Sequence, residues 1–523
     1  MRKASQVRNN VIVIGAGLSG LTAAAYLARA GHPVTLYEQA AEIGGVTATL
    51  RENGYAWDLG PLLIEGMAPD ECGGHILRDL GISDKVALTV GDRGYIFPDF
   101  NLWRPDTYPG PNWRRERLKT LFPAERQSID NYYTFYNRML DVVALNARAD
   151  VAREPRKSLL RLQLWRAFNR VKQREAWSAQ KLMDHFFVDQ RLKAVFTSIL
   201  ADFVARPSQF PALAVPALNV ESSFDVRIPR RLSRAGKRPS FQFVLNGCDT
   251  LVKALGTVLR QHGARISTHA TVEKILVAGD RVRGVALAGG HIEPADIVIA
   301  SGGAKETFHT LVGREYLTSD FAYLVDELEL MESVFMVQLG VDLDPRPYQP
   351  GPLGYYYGTY DIESGVAACL RGQYHEGADG FVLYIPSVHS PAMAPQRHHA
   401  ITIYTIAPNE LNEGTWEGRR REFANKLIAY AERVIPELRD HVRTQVILTP
   451  DDFRERTHQV HHAFGGRVPV LGQDAPGYET PVKGLWFIGA QSKSGGGVQS
   501  VMVGARDAVR LIRSQTRGQP RAS

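Results

Sequence analysis

At 523 residues the chain exceeds what one hydrophobic core supports, so two sequential or intertwined domains are expected. Its 44% hydrophobic and 22% charged content is ordinary for a soluble globular protein. Cys72, Cys248 and Cys369 are far apart without C-x-x-C spacing, which argues against a disulfide framework, a zinc site or a dithiol pair and suits a reducing compartment. The formal charge of +7 admits an anionic partner, but no RNA-binding signature or zinc-finger spacing accompanies it, so no nucleic-acid partner is expected. Met1 to Asn10 is polar, unlike a secretory signal, and no run of about 18 apolar residues offers a membrane span. A cytoplasmic location is expected, with membrane association only if a surface helix provides it.

Val11 to Ile14 reads as a buried parallel strand. Gly15, Gly17 and Gly20 follow at G-x-G-x-x-G spacing, with Leu18 and Ser19 between them at the start of a helix that Gly31 stops. Gly15 allows a tight turn, Gly17 lets a pyrophosphate approach the backbone, and Gly20 lets helix and strand pack closely. A second strand, Val34 to Tyr37, ends on Glu38 and Gln39, where a carboxylate can accept both ribose hydroxyls. Strand, triplet, helix, strand and acid in this order make a dinucleotide site. Gly44 and Gly45, followed by Val46, then a strand closing on Asp58, Leu59, Gly60 and Pro61, tilt the choice from a nicotinamide cofactor to FAD, non-covalently bound.

From about 65 to 240 glycine thins out and helical periodicity takes over. Eight basic residues lie between Arg153 and Arg174 against Glu154 alone. Leu160, Leu164, Phe168 and Val171 share one helical face there, with Trp165 beside them. The pattern suits the surface of an anionic membrane, and equally a helix packed on its own domain. From 241 to 310 strand and helix alternate again, and Val272 falls where a backbone amide and carbonyl can read adenine. From 311 to 455 the chain is strand-rich, with clear runs at Val334–Val341, Phe381–Ile385 and Ala400–Tyr404 and a helix over Trp416–Val434. Tyr355, Tyr356, Tyr357 and Tyr360 either floor a substrate cavity or are half-buried sheet tyrosines.

Between 456 and 523 a strand ends on Gly489 and Ala490, and Gly495, Gly496 and Gly497 precede Val498, Gln499 and a helix from Met502 to Ile512. Amides at that helix start suit the N1–C2=O edge of an isoalloxazine and would stabilise the anionic reduced flavin.

GAGLSG with Glu38, Gly44-Gly45, Asp58 to Pro61 and LWFIGAQSKSGGGVQSVMVGA together resemble the phytoene desaturase and retinol saturase family, within the amine-oxidase-like flavoproteins. SVFMVQLGVD and YIPSVHSPAMAPQRHHAITIYTIAP resemble it as well. The resemblance implies an α/β fold: a glutathione-reductase-type Rossmann FAD domain assembled from discontinuous segments (1–64, 241–310 and 456–523), plus an α+β substrate domain with a mixed sheet (311–455) and a helical insertion (65–240). It implies flavin-linked desaturation, saturation or isomerisation of C=C bonds in a lipophilic polyene or isoprenoid-like substrate. Val46 stands where many relatives have a basic residue, and Ala490 where amine oxidases usually have an acid.

The reaction needs a hydride acceptor and a proton acceptor but no metal. His458, His461 and His462 precede the last segment and are candidate bases, although clustered histidines also serve as surface or packing residues. An amine or amino-acid oxidase is the rival enzyme. A flavin-free escort of prenylated partners is the non-enzymatic rival, opposed by the intact glycine motifs. The oligomeric state is left open.

Overall fold

The computed structural model describes residues 9–459 and 465–518. Its centre is a five-stranded parallel sheet in the order Arg265–Ser267, Val34–Tyr37, Val11–Ile14, Ile297–Ala300, Leu485–Phe487. Val11 pairs with Val34 on one side and Ile297 on the other, so strands from three distant stretches of chain run side by side. Alternation along the strands assigns the two faces. Val11, Val13, Leu36, Ile299 and Trp486 pack on the helices Leu18–Arg29, Asp249–Gln261 and Val498–Gly518. Ile12, Tyr37, Val298 and Phe487 face the antiparallel sheet Val272–Ala278, Arg281–Leu287, Ile292–Pro294. The C-terminal helix begins at Val498, four residues earlier than the glycine run suggested, because Val498 and Met502 are both buried one turn apart.

A seven-stranded mixed sheet forms the second body, in the order Val442–Leu448, Ser333–Val341, His399–Ala407, Gly380–Tyr384, Leu353–Tyr357, Arg93–Ile96, Asn101–Leu102. Ser333 to Val341 is buried throughout and pairs in unbroken antiparallel register with His399 to Ala407. Phe335, Val337, Leu339, Ile401 and Ile403 face the helix Trp416–Glu432. Val382, Tyr384 and Tyr355 face the other way, into an aromatic core shared with the helix Arg126–Val151 and its neighbours. The 65–240 stretch is therefore not purely helical. Arg93–Ile96 joins the sheet of the later insertion by parallel pairing with Leu353–Tyr356, and four to six residues of strand are too short to register against the surrounding helical periodicity.

The basic stretch folds as the helix Arg156–Phe168, packed on Arg126–Val151. Leu160 is buried against Leu145 and Ala149, with Leu164 and Ala167 alongside. The face read from the sequence thus points inward, and a different set points outward: Leu159, Leu162 and Trp165 are 57%, 45% and 61% exposed. The three cysteines are buried free thiols. No helix among the described residues is long and apolar enough to cross a membrane.

Candidate functional site

All five parallel strands end at the same edge, and the glycine motifs gather there. The helix Leu18–Arg29 starts directly off its strand because Gly20 lies on Gly15: a Cβ on Gly20 would stand 2.0 Å from the Gly15 carbonyl oxygen. Gly17 is the opposite case. Its backbone is extended (φ −66°, ψ 171°), and a Cβ there would meet nothing within 4 Å. The amides of the first turn therefore open onto free space beside Gly17.

Glu38 is buried at the end of the neighbouring strand, and its carboxylate accepts hydrogen bonds from the Ala16 amide (2.7 Å) and the Ala40 amide (2.9 Å). The next loop folds back on this turn. The Gly44 amide donates to the Ala16 carbonyl at 2.8 Å, and Gly45 lies against Gly17, with a Cβ on Gly45 3.5 Å from the Gly17 Cα. Val46 turns into a small apolar cluster with Leu59 and Phe453, and Gly60 packs on its carbonyl. The Pro61 carbonyl accepts from the Cys248 thiol at 3.1 Å. Asp58 accepts from the Cys248 amide and the Thr49 hydroxyl, both at 2.7 Å, and burial pushes its carboxyl up to about 6. The Ala270 amide donates to the Glu38 carbonyl at 2.9 Å, which brings buried Val272 alongside the strand end that carries Glu38 and Gln39.

The C-terminal motif reaches the same place. A Cβ on Gly489 would stand 3.5 Å from the Ser19 Oγ, which bonds the Ser301 Oγ at 2.8 Å. Ala490 is covered by Gly466, and its carbonyl accepts from the Arg467 amide at 3.3 Å. Gly496 and Gly497 are exposed at the start of the helix Val498–Gly518. Gly497 lies near the Glu65 carboxylate, and the Gln499 side chain sits over Gly66. Motifs more than 450 residues apart thus share one cleft.

Of the three histidines, His461 and His462 lie outside the described residues, and His458 is exposed at the end of the helix Pro450–Thr457. A different group escaped the sequence reading. Asp202, in the short helical turn Ser198–Phe203, lines a cavity of about 50 Å³ with Tyr355, Tyr357, Tyr404 and Ile406. Tyr404 donates its hydroxyl to the carboxylate at 3.2 Å, and burial pushes the Asp202 carboxyl up to about 7. Buried Arg93, stacked over Phe224 at 4.7 Å, is close enough to oppose that rise and to act on Glu65 as well, which links the cavity to the Gly497 end of the cleft. Nothing in the local sequence marks Asp202; the tyrosine run was the only signal.

A model of the flavin containing amine oxidoreductase family matches residues 18–513. The chain belongs to that family. A 4,4'-diapophytoene desaturase (4,4'-diaponeurosporene-forming) of Staphylococcus aureus strain MRSA252 is 23% identical over 521 residues, covering 95% of this chain and 97% of that one. Among solved structures, an oxidoreductase from Methanosarcina mazei matches with a TM-score of 0.61 at 19% identity, over 96% of this chain and 100% of the other. An A394C mutant of putrescine oxidase matches with a TM-score of 0.63 at 14% identity, over 97% and 99%. This amine oxidoreductase family member is an FAD-dependent oxidoreductase with the mixed α/β, multi-sheet fold of its relatives. The cleft fits the cofactor, since Gly17 keeps open the space that a diphosphate would fill.

The two glycines of the first turn make opposite predictions. Gly17→Ala should leave the thermal unfolding of the apoprotein unchanged, because the methyl group meets no protein atom, and should weaken FAD binding roughly tenfold or more if the diphosphate enters that space. Gly20→Ala should lower apoprotein stability by about 1–3 kcal/mol, because it overpacks the helix–strand contact. Calorimetry and FAD titration of both variants check the pair.

Proposed function

We propose that this flavoprotein desaturates a lipophilic, isoprenoid-like chain, removing a hydride and a proton from adjacent carbons to leave a C=C bond. The likeness to a diapophytoene desaturase over almost the whole of both chains carries this reading. The parallel sheet would be a glutathione-reductase-type FAD domain assembled from 1–64, 241–310 and 456–523, with 65–240 and 311–455 forming the substrate domain. Within it, Gly15, Gly17, Leu18, Ser19 and Gly20 would meet the diphosphate together with Gly44, Gly45 and Val46. Glu38 and Gln39 would meet the ribose, and Val272 the adenine. Gly60, Pro61, Gly489, Ala490, Gly497, Val498 and Gln499 would follow the ribityl chain and flavin ring.

When bound, FAD supplies the hydride acceptor. The protein positions the chain, keeps water out and takes the proton. The aromatic cavity suits the end of an apolar chain, and Asp202 is its proton acceptor in this reading. The carboxylate must be ionised to act, so kcat/KM should rise with pH through about 7. Asp202→Asn should remove that rise and lower turnover roughly 10²-fold or more. Because the folded-state pKa is raised, Asp202 costs stability as pH rises from the ordinary carboxylate value to about 7, and the full cost remains above it. The Asn variant should therefore be at least as stable as the parent at about pH 8, which separates lost chemistry from lost structure. A pH–rate profile with thermal unfolding decides it. Should His461 and His462 variants lose the ascending limb instead, the histidines take the role.

The second reading is amine oxidation, which a carboxylate among tyrosines favours as a seat for an ammonium group. Anaerobic incubation with linear polyenes and with amines, following loss of flavin absorbance near about 450 nm, separates the two. Bleaching by amines alone would overturn desaturation.

The outward residues of the helix Arg156–Phe168 give a lipophilic substrate a route in. Leu159, Leu162 and Trp165 stand among exposed Arg156, Arg161 and Arg166, a combination that suits an anionic bilayer surface. Trp165 and Arg161 also line a cavity of about 360 Å³ with Leu164 and Phe168. The protein should sediment with anionic liposomes at low salt, and Leu162→Glu with Trp165→Glu should abolish this without loss of FAD. Equal sedimentation of the double variant would remove the idea.

A further inference from the structure

We infer that Arg456 holds the diphosphate of FAD from outside the glycine motifs, as the cation that the acidic loop from Glu38 to Pro61 does not itself supply. The inference rests on the FAD site proposed above and adds a specificity-determining residue to it. The loop from Glu38 to Pro61 carries Glu38, Glu42, Glu52 and Asp58, and its one basic residue, Arg51, is held by Asp249 at 2.7 Å. Val46, beside the glycine pair, is turned into the apolar cluster with Leu59 and Phe453. That loop therefore brings no free cation to the space beside Gly17.

Arg456 comes from the helix Pro450–Thr457, which Thr449 and Asp452 cap reciprocally. Phe453, 2% exposed, docks this helix in the cluster that contains Val46. Arg456 lies three positions further on, on the same helical face, so the docking of Phe453 carries it over the loop. Its Nε donates to the Gly45 carbonyl at 2.7 Å, and Gly45 lies directly on Gly17. No carboxylate makes an ion pair with this half-buried guanidinium among the described residues, although Glu38 and Glu42 lie near enough to favour its charge. Burial costs the cation hydration that no ion pair among the described residues returns. A phosphate oxygen beside Gly17 and Gly45 would return it, through the donors that Nε leaves free.

The test is titration of the full-length apoprotein with FAD and, separately, with riboflavin, which has the same ring and no diphosphate. Arg456→Gln keeps a donor for the Gly45 carbonyl and loses the charge; Arg456→Lys keeps the charge. Arg456→Gln should weaken FAD binding roughly ten- to a hundredfold, the range of a charge-assisted hydrogen bond, and leave riboflavin affinity unchanged. Arg456→Lys should recover most of the loss. Unchanged FAD affinity in Arg456→Gln overturns the inference and leaves the cofactor site standing. An equal loss for FAD and riboflavin also overturns it, by reducing Arg456 to a structural role. Failure of the parent protein to bind FAD at all overturns the cofactor site and the inference with it.

Discussion

The contact between Gly20 and the Gly15 carbonyl is the constraint on which the architecture depends. A helix offers unpaired amides and a positive end to a phosphate only if its first turn faces the ligand rather than solvent or a side chain. Here the helix springs straight from the strand Val11–Ile14, so those amides point across the edge of the sheet. Parallel pairing then brings every other strand end to the same edge. Ala300, one residue before Ser301, and Ile488, one residue before Gly489, are joined by an amide–carbonyl bond of 3.0 Å. The hydroxyl bond between Ser19 and Ser301 closes the arrangement from the side.

The second sheet extends the same logic to the apolar chain proposed as substrate. Its residues alternate between a helix-covered face, where Trp416 and Phe423 seal Phe335, and an aromatic face turned to the helical insertion. Because Arg93–Ile96 is recruited from that insertion into the sheet, the aromatic face is built from both halves of the chain. Tyr95 meets Tyr355 edge-on at 5.4 Å and 82°, and Phe97 stacks on Tyr357 at 5.0 Å. Such rings supply large apolar area with few torsions to freeze. The cavity with Asp202 lies on this face, as does buried Arg93, whose guanidinium stacks over Tyr95.

Legibility in the sequence tracked how local the physics is. The turn at Gly15 to Gly20, the acid at Glu38 and the glycine run before Val498 are short-range patterns, and each was readable because the chemistry of a strand end and a helix start is contained within a few residues. The direction of the basic helix was not readable. Leu159, Leu160, Leu162 and Leu164 supply apolar residues on more than one side, and only docking against Leu145 and Ala149 selects Leu160 as the inner one. Asp202 and Arg456 were invisible for a related reason. Each gains its meaning from a partner hundreds of residues away, Tyr404 for the first and Gly45 for the second, and neither partner leaves a mark on the sequence around it.

The electrostatics of the cleft follow from where its acids spend their charge. The site proposed for a dianionic diphosphate contains Glu38, Glu42 and Asp58, which would repel that ligand if their carboxylates were free. Two are not. Glu38 is committed to the Ala16 and Ala40 amides, which draw its charge toward the backbone and fix the loop at the height of Gly17. Asp58 is held by the Cys248 amide and the Thr49 hydroxyl, which take up its charge inside the protein, while burial lifts its pKa to about 6. Glu42 is exposed and screened by solvent. What faces the open space beside Gly17 is then a set of amide donors with a guanidinium over the neighbouring glycine, a positive lining made inside an acidic loop by committing Glu38 and Asp58 elsewhere.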